Sequence, residues 1–582
     1  MSTGVVSNDR WQRRSGAALL CGVALLLLAL AGRLAYVNAV LRPQLEQVAH
    51  KQQLGNAILP ARRGTIFDTR GRVLATSRQK PDVFVDPLYV DDLDSLAGEL
   101  GPRVNLPADE IAHKVRYREH TRFVPIAQRV DEVTAGAVRQ MGSPAVGLTE
   151  RPARMYPTGK SMAQVLGFVG RDGYGLEGLE LQHDQHLRGE NGRRSTIRDA
   201  RRRAIWPSHK SARQPIDGGH IVLTIDAEIQ RIAEAVLQEA VGKFEAQSGV
   251  AVVMSPHNGD VLAMVSAPTF DPRSLASSPG ELRRNRAITD PTEPGSTFKP
   301  FIAAGALEGG FVSTTEKIDC HMGQHYFGRR LVTDGSPHGM MDLLGIVSKS
   351  SNIGMGTIAE RMGNAELHDV IRRFGFGQRT QIGFPGENAG LVYPLERWTS
   401  YSTTSVSFGY EVAVTPLQLA TAFSAMVNDG VLLKPRLVRR LLGPNGEVVE
   451  SFDSPEIVRR VLATEVARFM AKEVLVAVVE DVSGSGRRAK LDDFTVLGKT
   501  GTAKLPYSDR SGYEPGAYLA TFMGAAPVED PQLVAVVMVR RPNAKIGYYG
   551  GVVSAPAVGE ILEATLAYLE VPPDKGTTFA GL

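Results

Sequence analysis

The first feature of the hydrophobic pattern is an apolar segment near the N-terminus. Residues 15–32 carry no charged side chain over 18 positions, which is close to the shortest length that crosses the hydrocarbon core of a bilayer. Apolar residues continue after Arg33 as far as Val37. The segment is preceded by Arg10, Arg13 and Arg14. Because positive charge stays on the cytoplasmic side, the pattern predicts a cytoplasmic tail over 1–14, a transmembrane anchor over 15–37 and an extracytoplasmic location for the rest.

A cleaved signal peptide is the alternative interpretation of this segment. Ala29-Leu30-Ala31 fits the small-residue pattern that precedes a cleavage site, and cleavage there would leave Gly32 as the mature N-terminus. The apolar run continues beyond that site, which favours an anchor that is retained.

Between the anchor and about residue 220, short apolar runs alternate with turn residues. Residues 66–74 have the pattern of a strand, a polar turn and a second strand. We expect an irregular mixed α/β pedestal domain over 38–220. Residues 189–205 are rich in arginine, which leaves open either nucleic-acid contact or a two-sided β-ribbon. The ribbon is favoured because this region lies outside the cytoplasm, and no nucleic-acid partner is expected.

Near residue 221 the pattern changes to longer strands and helices. An apolar strand leads into an amphipathic helix with Thr224 and Asp226 as candidate caps, and residues 249–268 are two apolar runs around a Pro-His-Asn-Gly turn. Two further strands and a helix close the region. Strands at both ends, with helices between them, predict one sheet with helices packed on it, an α+β domain over 221–575 followed by a tail over 576–582.

Composition narrows the class of protein without identifying it. Hydrophobic residues make up 43% of the 582 residues and charged residues 22%, which is ordinary for a folded protein. The net charge of +4 is too small to indicate a nucleic-acid partner. Of the two cysteines, Cys21 lies in the apolar segment, so a disulfide with Cys320 is not expected.

The first candidate for chemistry is Ser296, within TEPGSTFKPFIAAGAL at 292–307. A Pro-Gly turn precedes an apolar helical face, and Pro300 is tolerated in a first helical turn, so Ser296 is predicted near a helix N-terminus. Lys299 lies one turn further along the same face. Burial lowers the proton affinity of a lysine, so Lys299 could deprotonate a Ser296 nucleophile. For the tetrapeptide alone, a serine cap with a solvated lysine is the alternative.

The stretch VLGKTGTAKLP at 496–506 permits two interpretations. A phosphate-binding loop requires glycine where Asp493 stands, and it requires a helix where Gly501 interrupts the chain. The sequence therefore favours Lys499-Thr500-Gly501 on a strand or at its end, with the lysine holding a carboxylate rather than a phosphate.

The third motif is Ser350-Ser351-Asn352, on or between helices. Ser-x-x-Lys, Ser-x-Asn and Lys-Thr-Gly in this order are the set found in penicillin-binding proteins and serine β-lactamases. Each motif is common by chance, but three in this order on matching elements are not.

On these residues the chain resembles the class B penicillin-binding proteins, which are peptidoglycan D,D-transpeptidases. The resemblance extends over nearly the whole length, through RGTIFDTRGRVLA, MYPTGKSMAQVLGFVG, GLEGLE, LTIDAEIQ, EPGSTFKPF, VTPLQLATAFSAMVNDG, GKTGTA and YYGGVVSAP. It implies a serine β-lactamase-like transpeptidase domain with an antiparallel sheet. Within the class the chain is most similar to the division-specific FtsI type, and the elongation-specific type is the alternative. Glu411 departs from the small residue usual at its position, which leaves the shape of its loop open.

The resemblance implies a role for each motif residue. Ser296 is the nucleophile, Lys299 the general base and Ser350 a proton relay to the leaving D-Ala amine, while Asn352 holds the substrate amide and steadies Lys299. The carboxylate of a peptide ending in D-Ala-D-Ala binds at Lys499, Thr500, Gly501 and Thr502, and the backbone N–H groups of Ser296 and Thr502 form the oxyanion hole.

The resemblance also implies partners and a location. The partners are peptidoglycan stem peptides, β-lactams, the membrane, and, through residues 41–220, a polytopic glycan-strand polymerase of the FtsW type with other division proteins. No cofactor and no metal is implied. The implied location is the cytoplasmic (inner) membrane, with a single pass and an extracytoplasmic catalytic domain, at the division septum.

Two other functions remain open at this point. A carboxypeptidase or β-lactamase would need a group that activates water, and the loop candidates Glu387 and Glu396 do not match a Glu-x-x-Leu-Asn pattern. A β-lactam sensor or a non-catalytic division scaffold is the second, but only about 14 residues precede the anchor and all three motifs are intact.

Overall fold

The computed structural model describes residues 8–46, 54–198, 204–207, 213–275 and 278–576. The first half of the predicted cytoplasmic tail and nearly all of the predicted C-terminal tail lie outside these ranges. The chain divides into two compact units. Residues up to 61 together with 190–216 form one unit, and residues 62–189 together with those from 217 onward form the other.

The smaller unit contains the apolar helix. This helix covers Asn8–Tyr36 and continues in a π-helical turn over Val37–Leu41. In the described part of the chain, the span Trp11–Glu46 is the one stretch long and apolar enough to cross a membrane, and none of its most apolar window is buried by protein. Exposed leucines at this density require an apolar surrounding. The helix therefore fits the predicted anchor over 15–37.

The smaller unit also contains a three-stranded antiparallel sheet. Its strands are Leu54–Leu59, Gly192–Arg198 and Ala204–Pro207, with Gly192–Arg198 in the middle. Two of the three strands lie in the arginine-rich stretch, so the predicted β-ribbon is confirmed for its described residues.

The N-terminal sheet of the larger unit has seven strands. Across the sheet they are Val448–Ser451, Val438–Leu442, His220–Leu223, Ile66–Phe67, Val73–Val85 and Val124–Ala127, with Val146–Met155 also paired to Val73–Val85. Three helices pack against it: Leu93–Val104, Ala108–Tyr117 and Glu132–Gln140. The strand–turn–strand pattern at 66–74 is confirmed.

The domain boundary expected between residues 220 and 221 does not coincide with an edge of the N-terminal sheet. That boundary falls inside the strand His220–Leu223, which pairs with Ile66–Phe67 on one side and with Val438–Leu442 on the other. The predicted pedestal over 38–220 therefore omits strands that complete its sheet. Pairing between segments so far apart in sequence leaves no local periodicity from which it could be predicted.

The C-terminal sheet has five antiparallel strands. Their order is Val261–Ala267, Ser248–Met254, Leu533–Arg540, Tyr513–Ala526 and Leu497–Pro506. The sheet is assembled from both ends of its region, as predicted, and the hairpin at 249–268 is confirmed. Alternate side chains of each strand face opposite sides, so Ala251 and Val253 contribute to one core while Val250 and Val252 contribute to the other.

Helices cover both faces of the C-terminal sheet. One face packs against Ala227–Lys243, which begins at its cap Asp226, and against the terminal helix Gly550–Tyr568. The other face packs against the helices Lys299–Glu308, Leu343–Ser348, Asn352–Arg373 and Pro416–Val427. The predicted α+β class, with helices on an antiparallel sheet, is confirmed.

Short elements connect these layers. Two-stranded pairs are formed by Phe168–Val169 with Gly175–Glu177, Ile318–Asp319 with Met340–Met341, Gln324–Phe327 with Arg330–Thr333, Leu391–Val392 with Val412–Ala413, and Val431–Leu433 with Ile457–Arg460. Short helices include Ala163–Leu166, Gly178–Gln182, Asp184–Arg188, Arg286–Thr289, Ser402–Ser407, Thr464–Phe469 and Val476–Glu480.

Candidate active site

Ser296 lies in a tight turn that opens a buried helix. The turn covers Gly295–Phe298 with 3₁₀ geometry, and the α-helix Lys299–Glu308 follows with Pro300 in its first turn. Gly295 has φ +55, and its N–H donates to Gly409 O at 3.0 Å. Ser296 is partly exposed while the Lys299 side chain is fully buried. The predicted placement of Ser296 at a helix N-terminus is confirmed.

The turn that carries Ser296 packs directly on the strand Leu497–Pro506. A Cβ atom at Gly501 would lie 2.8 Å from Thr297 Cγ2 and 3.0 Å from Pro294 O. A Cβ atom at Gly295 would lie 3.5 Å from Thr502 O. Gly501 therefore permits an approach that a side chain would prevent, and Gly295 takes a positive φ that a side chain would strain. Lys499, Thr500 and Gly501 lie on this strand, so the phosphate-loop interpretation is excluded by its geometry.

Ser350 is held in a strained backbone conformation between two helices. Its φ is +64, an uncommon value for a residue with a side chain. Ser351 caps the following helix by accepting from Gly354 N at 2.9 Å. Asp334 fixes the same turn, because its carboxylate accepts from Asn352 N at 2.6 Å and from Ser351 Oγ at 2.5 Å. These bonds aim Ser350 and Asn352 toward Lys299.

Lys299 donates to the Ser-Ser-Asn motif. Its Nζ lies 2.6 Å from Ser350 O, 3.2 Å from Ser350 Oγ and 2.8 Å from Asn352 Oδ1. No hydrogen bond joins Lys299 Nζ to Ser296 Oγ in the described residues. The contact expected between nucleophile and base is therefore not formed here, and the lysine binds the Ser350-Ser351-Asn352 motif instead. Catalytic hydrogen bonds commonly tighten only when substrate is bound.

Lys499 reaches the same hydroxyl from the strand. Its Nζ lies 3.1 Å from Ser350 Oγ and 3.0 Å from Thr500 O, and its side chain is fully buried. The structure thus brings all three sequence motifs together around one oxygen atom. The nearby hydroxyls are also fixed, since Thr502 Oγ1 accepts from Gly550 N at 3.0 Å and Thr500 Oγ1 lies 3.0 Å from Ser485 Oγ.

Burial changes the protonation of both lysines. Desolvation lowers the pKa of Lys299 to about 7, against the charge of Asp334, which raises it. Burial, and then the charge of Lys299, lower the pKa of Lys499 well below its usual range. A neutral amine is therefore accessible in this site near neutral pH, which is what a general base requires.

Two residues of the site were not predicted from the sequence. Asp334 sits at the end of a short strand and Ser485 in a glycine-rich loop, and neither belongs to a motif of the predicted set. Their contacts with Asn352 and Thr500 depend on tertiary packing, so only the structure reveals them. In the described residues, no group of three or more His, Cys, Asp and Glu is arranged to hold a metal ion.

The structure also shows the loop around Glu411, whose shape the sequence left open. Glu411 has φ +60, and its carboxylate accepts from Ser402 Oγ at 2.6 Å. Its N–H donates to Glu293 Oε1 at 2.9 Å, and Tyr513 Oη donates to the same oxygen at 3.2 Å. Burial raises the pKa of Glu293. The unusual glutamate thus binds Ser402 through its carboxylate and Glu293, three residues before Ser296, through its N–H.

Family models match both halves of the chain. The penicillin-binding protein transpeptidase domain matches residues 249–563, and the penicillin-binding protein dimerisation domain matches residues 58–223.

Three relatives match over nearly their full length. The chain is 34% identical over 568 residues to the probable peptidoglycan D,D-transpeptidase PenA of Neisseria meningitidis, covering 97% of this chain and 94% of the relative. It is 33% identical to the stage V sporulation protein D of Bacillus subtilis, covering 98% and 88%. It is 32% identical to the peptidoglycan D,D-transpeptidase FtsI of Escherichia coli, covering 96% and 93%.

The fold also matches a solved structure. Penicillin-binding protein 3 from Mycobacterium tuberculosis, complexed with ampicillin, superposes with a TM-score of 0.70 at 26% identity, covering 90% of this chain and 98% of that one. The chain therefore belongs to the class B penicillin-binding proteins, the peptidoglycan D,D-transpeptidases that carry a dimerisation domain before the transpeptidase domain.

Proposed function

We propose that this transpeptidase cross-links stem peptides through a Ser296 acyl-enzyme during septal wall synthesis. The observation that carries the proposal is the convergence of Lys299 and Lys499 on Ser350 Oγ, at 3.2 and 3.1 Å, beside the turn that holds Ser296. One site then contains a nucleophile, a base of lowered pKa and a hydroxyl that connects the base to a second lysine.

Acylation begins with Ser296. Its Oγ attacks the carbonyl carbon of the penultimate D-Ala, and neutral Lys299 takes the hydroxyl proton. The backbone N–H groups of Ser296 and Thr502 stabilise the oxyanion, and the close approach of Gly295 to the strand supports that pairing. The proton then passes through Ser350 Oγ to the D-Ala nitrogen as the C–N bond breaks.

The substrate carboxylate binds at the strand. Burial lowers the pKa of Lys499, but a bound carboxylate favours its charged form, so Lys499 supplies positive charge in the complex. Thr502 Oγ1, which already accepts from Gly550 N, retains its hydroxyl proton to donate. Thr500 lies beside it, and Gly501 allows the strand to approach. Asn352 Oδ1 holds Lys299, and its amide nitrogen donates to Thr333 O at 2.9 Å. Asn352 is therefore proposed to steady Lys299 and to place the peptide amide of the substrate.

Release requires an amine from a neighbouring stem peptide. That amine attacks the ester carbon, the bond to Ser296 Oγ breaks, and the cross-link forms. A hydrolase would need water activation instead. Glu387 is engaged by Thr380, whose N–H and Oγ1 lie 2.5 and 2.6 Å from Glu387 Oε1, and Glu396 is exposed on the surface. Neither glutamate supports the carboxypeptidase or β-lactamase alternative.

The septal role and the partners are part of the proposal. We propose a single pass through the cytoplasmic membrane with the N-terminus inside, and contact between residues 41–220 and a glycan-strand polymerase. An elongation-specific role along the side wall is the alternative. A fluorescent fusion that locates at midcell supports the septal role, and one that locates along the side wall contradicts it.

The acyl-enzyme is tested with a labelled penicillin. We expect covalent label on Ser296 of the full-length protein and no label on Ser296→Ala, with both proteins showing the same thermal unfolding. The control is Ser313→Ala, since Ser313 is an exposed loop residue whose hydroxyl accepts from Glu316 N at 3.2 Å. Label on Ser296→Ala at the wild-type level would contradict the proposal.

A further inference from the structure

A cleft with a volume of about 580 Å³ opens beside the carboxylate-binding strand. Its lining includes Thr500, Thr502, Arg487, Arg488, Tyr549 and Gly551. The volume is in the range of sites that hold small ligands. Two of the lining residues, Thr500 and Thr502, also belong to the proposed site for the D-Ala carboxylate, so the cleft is continuous with that site.

The two arginines give the cleft its charge. They lie on the short helical turn Arg487–Ala489, and both are exposed. Arg487 Nη1 donates to Val482 O at 3.2 Å. No described carboxylate forms an ion pair with either arginine, whereas Lys490, two residues further, pairs with Glu480 at 2.9 Å. The cleft therefore presents two guanidinium groups whose charge no described side chain balances.

The turn that carries these arginines is firmly anchored. Ala489 is fully buried, and a Cβ atom at Gly559 of the terminal helix would lie 3.2 Å from Ala489 Cα. Gly486 N donates to Val478 O at 2.9 Å. On the other side of the cleft, a Cβ atom at Gly551 would lie 2.3 Å from Ser485 O. Packing on both sides fixes the backbone of the turn from which the two exposed arginine side chains extend.

The chemistry of cross-linking indicates what enters this cleft. Transpeptidation replaces one amine with another on the same acyl carbon, so the acceptor nitrogen must reach the position that the D-Ala nitrogen has left. The carboxylate of that D-Ala is proposed to lie at Lys499, Thr500 and Thr502. An acceptor longer than a single amino acid must therefore continue past the two threonines, and the cleft opens at that point.

We propose that the cleft binds the acceptor stem peptide and that Arg487 and Arg488 bind a carboxylate of that peptide. This rests on the proposed function. Guanidinium groups suit carboxylates because their N–H donors match both oxygens. In the step served, the acceptor amine forms the new C–N bond, the ester bond to Ser296 Oγ breaks, and the proton released by the amine returns through Lys299 to Ser296 Oγ.

The experiment measures the partition of the acyl-enzyme rather than its formation. Full-length protein in detergent is acylated by a labelled pentapeptide donor ending in D-Ala-D-Ala. It is then offered one of two tripeptide acceptors, which differ only in a glutamate α-carboxylate that is either free or amidated. The ratio of cross-linked to hydrolysed product is measured for the wild type and for Arg487→Gln/Arg488→Gln.

We expect the wild type to favour the free carboxylate, and the double variant to lose that preference. Its ratio with the free-carboxylate acceptor should fall about tenfold, the low end for charge-assisted contacts because both arginines are exposed. Its ratio with the amidated acceptor and its labelling by penicillin should stay at wild-type values. The control is Arg116→Gln/Arg118→Gln, which removes the same charge from an exposed helix end in the pedestal.

Three outcomes contradict the inference. The first is an equal fall with both acceptors, since that indicates a structural role for the turn. The second is a fall in penicillin labelling with an unchanged product ratio, since that places the arginines on the donor. The third is a wild-type ratio that does not respond to amidation. Failure of the proposed function would be seen in a different measurement, because Ser296 of the wild type would then take no penicillin label.

Discussion

Lys299 and Lys499 share one hydrogen-bond partner, Ser350 Oγ, which lies 3.2 Å from the first Nζ and 3.1 Å from the second. A hydroxyl has one proton to donate and two lone pairs. It can therefore accept from a charged amine and donate to a neutral one at the same time. Two charged amines would repel each other across it in a buried site. The arrangement favours one neutral and one protonated lysine, and acylation proceeds from the state in which Lys299 is the neutral one.

The first prediction is the pH dependence of acylation. Lys299 acts as a base only when it is neutral, and burial lowers its pKa to about 7. The acylation rate with a labelled penicillin should therefore rise with pH, level off above about 7, and fall about tenfold per pH unit well below it. Stopped-flow labelling between pH 5 and about 9 measures the profile. A rate that is flat through this range would exclude Lys299 as the titrating base.

The second prediction concerns Asp334. Its charge raises the pKa of Lys299, so Asp334→Asn should shift the midpoint of the acylation profile to lower pH. It should also reduce the plateau rate, because Asn352 N and Ser351 Oγ lose a charged acceptor.

The midpoint of the acylation profile distinguishes the electrostatic effect of Asp334 on Lys299 from its structural effect on the turn. Asp342→Asn is the matched control, since Asp342 accepts from Gly345 N at the start of the neighbouring helix. That variant should leave the midpoint in place. A lowered plateau in Asp334→Asn with no change of midpoint would mean that Asp334 acts only by holding the turn.

The third prediction tests the carboxylate site. Lys499→Ala should reduce acylation by β-lactams about 10- to 150-fold, the equivalent of roughly 1.5 to 3 kcal/mol for a charge-assisted contact. The loss should shrink for an analogue whose carboxylate is amidated, because the wild type then lacks the same partner. Fully additive losses would show that Lys499 does not contact the carboxylate.

The fourth prediction tests the close approach at Gly501. In Gly501→Ala the new Cβ would meet Thr297 Cγ2 at 2.8 Å and Pro294 O at 3.0 Å, so the strand must move away from the Ser296 turn. We expect penicillin labelling to fall at least about tenfold, with a destabilisation of about 1–3 kcal/mol. Gly242→Ala is the control, because nothing lies within 4 Å of its Cβ position in a helix on the same sheet. Wild-type labelling of Gly501→Ala would show that the strand tolerates the shift.

The fifth prediction concerns the N-terminus. The apolar helix continues past Ala31 to Leu41, so the mature protein should keep the residues before the anchor and stay in the membrane after a high-salt wash. N-terminal sequencing checks this. A mature N-terminus at Gly32 would establish the signal-peptide interpretation.

Local patterns predicted those parts of the protein that depend on neighbouring residues. Two apolar runs around a Pro-His-Asn-Gly turn in 249–268 predicted the hairpin that the structure shows. Of the two candidate caps, Asp226 caps the helix by accepting from Glu228 N at 2.8 Å. The three motifs allowed Lys299 and Lys499 to be predicted as site residues, because each motif places its side chains with only a few consecutive residues.

Contacts between distant segments could not be predicted in this way. Asp334 holds Asn352, and Ser485 meets Thr500, only because separate helices and loops pack side by side. Both lysines form hydrogen bonds with Ser350 Oγ, and neither does so with Ser296 in the described residues. The spacing of the motifs along the sequence does not determine these distances. The left-handed backbone of Glu411 is accompanied by contacts with Glu293 and Ser402, which lie far from it in sequence or on a helix and leave no local signal.

The N-terminal sheet takes five of its seven strands from residues before 224 and two from Val438–Ser451. A gene that exchanged the first 223 residues for those of a relative would bring five strands of this sheet, and these would have to pair with the two resident strands. The segments before residue 224 and after residue 437 must therefore remain compatible in evolution. A substitution in the strand His220–Leu223 has to fit the strand Val438–Leu442, which is encoded hundreds of bases away.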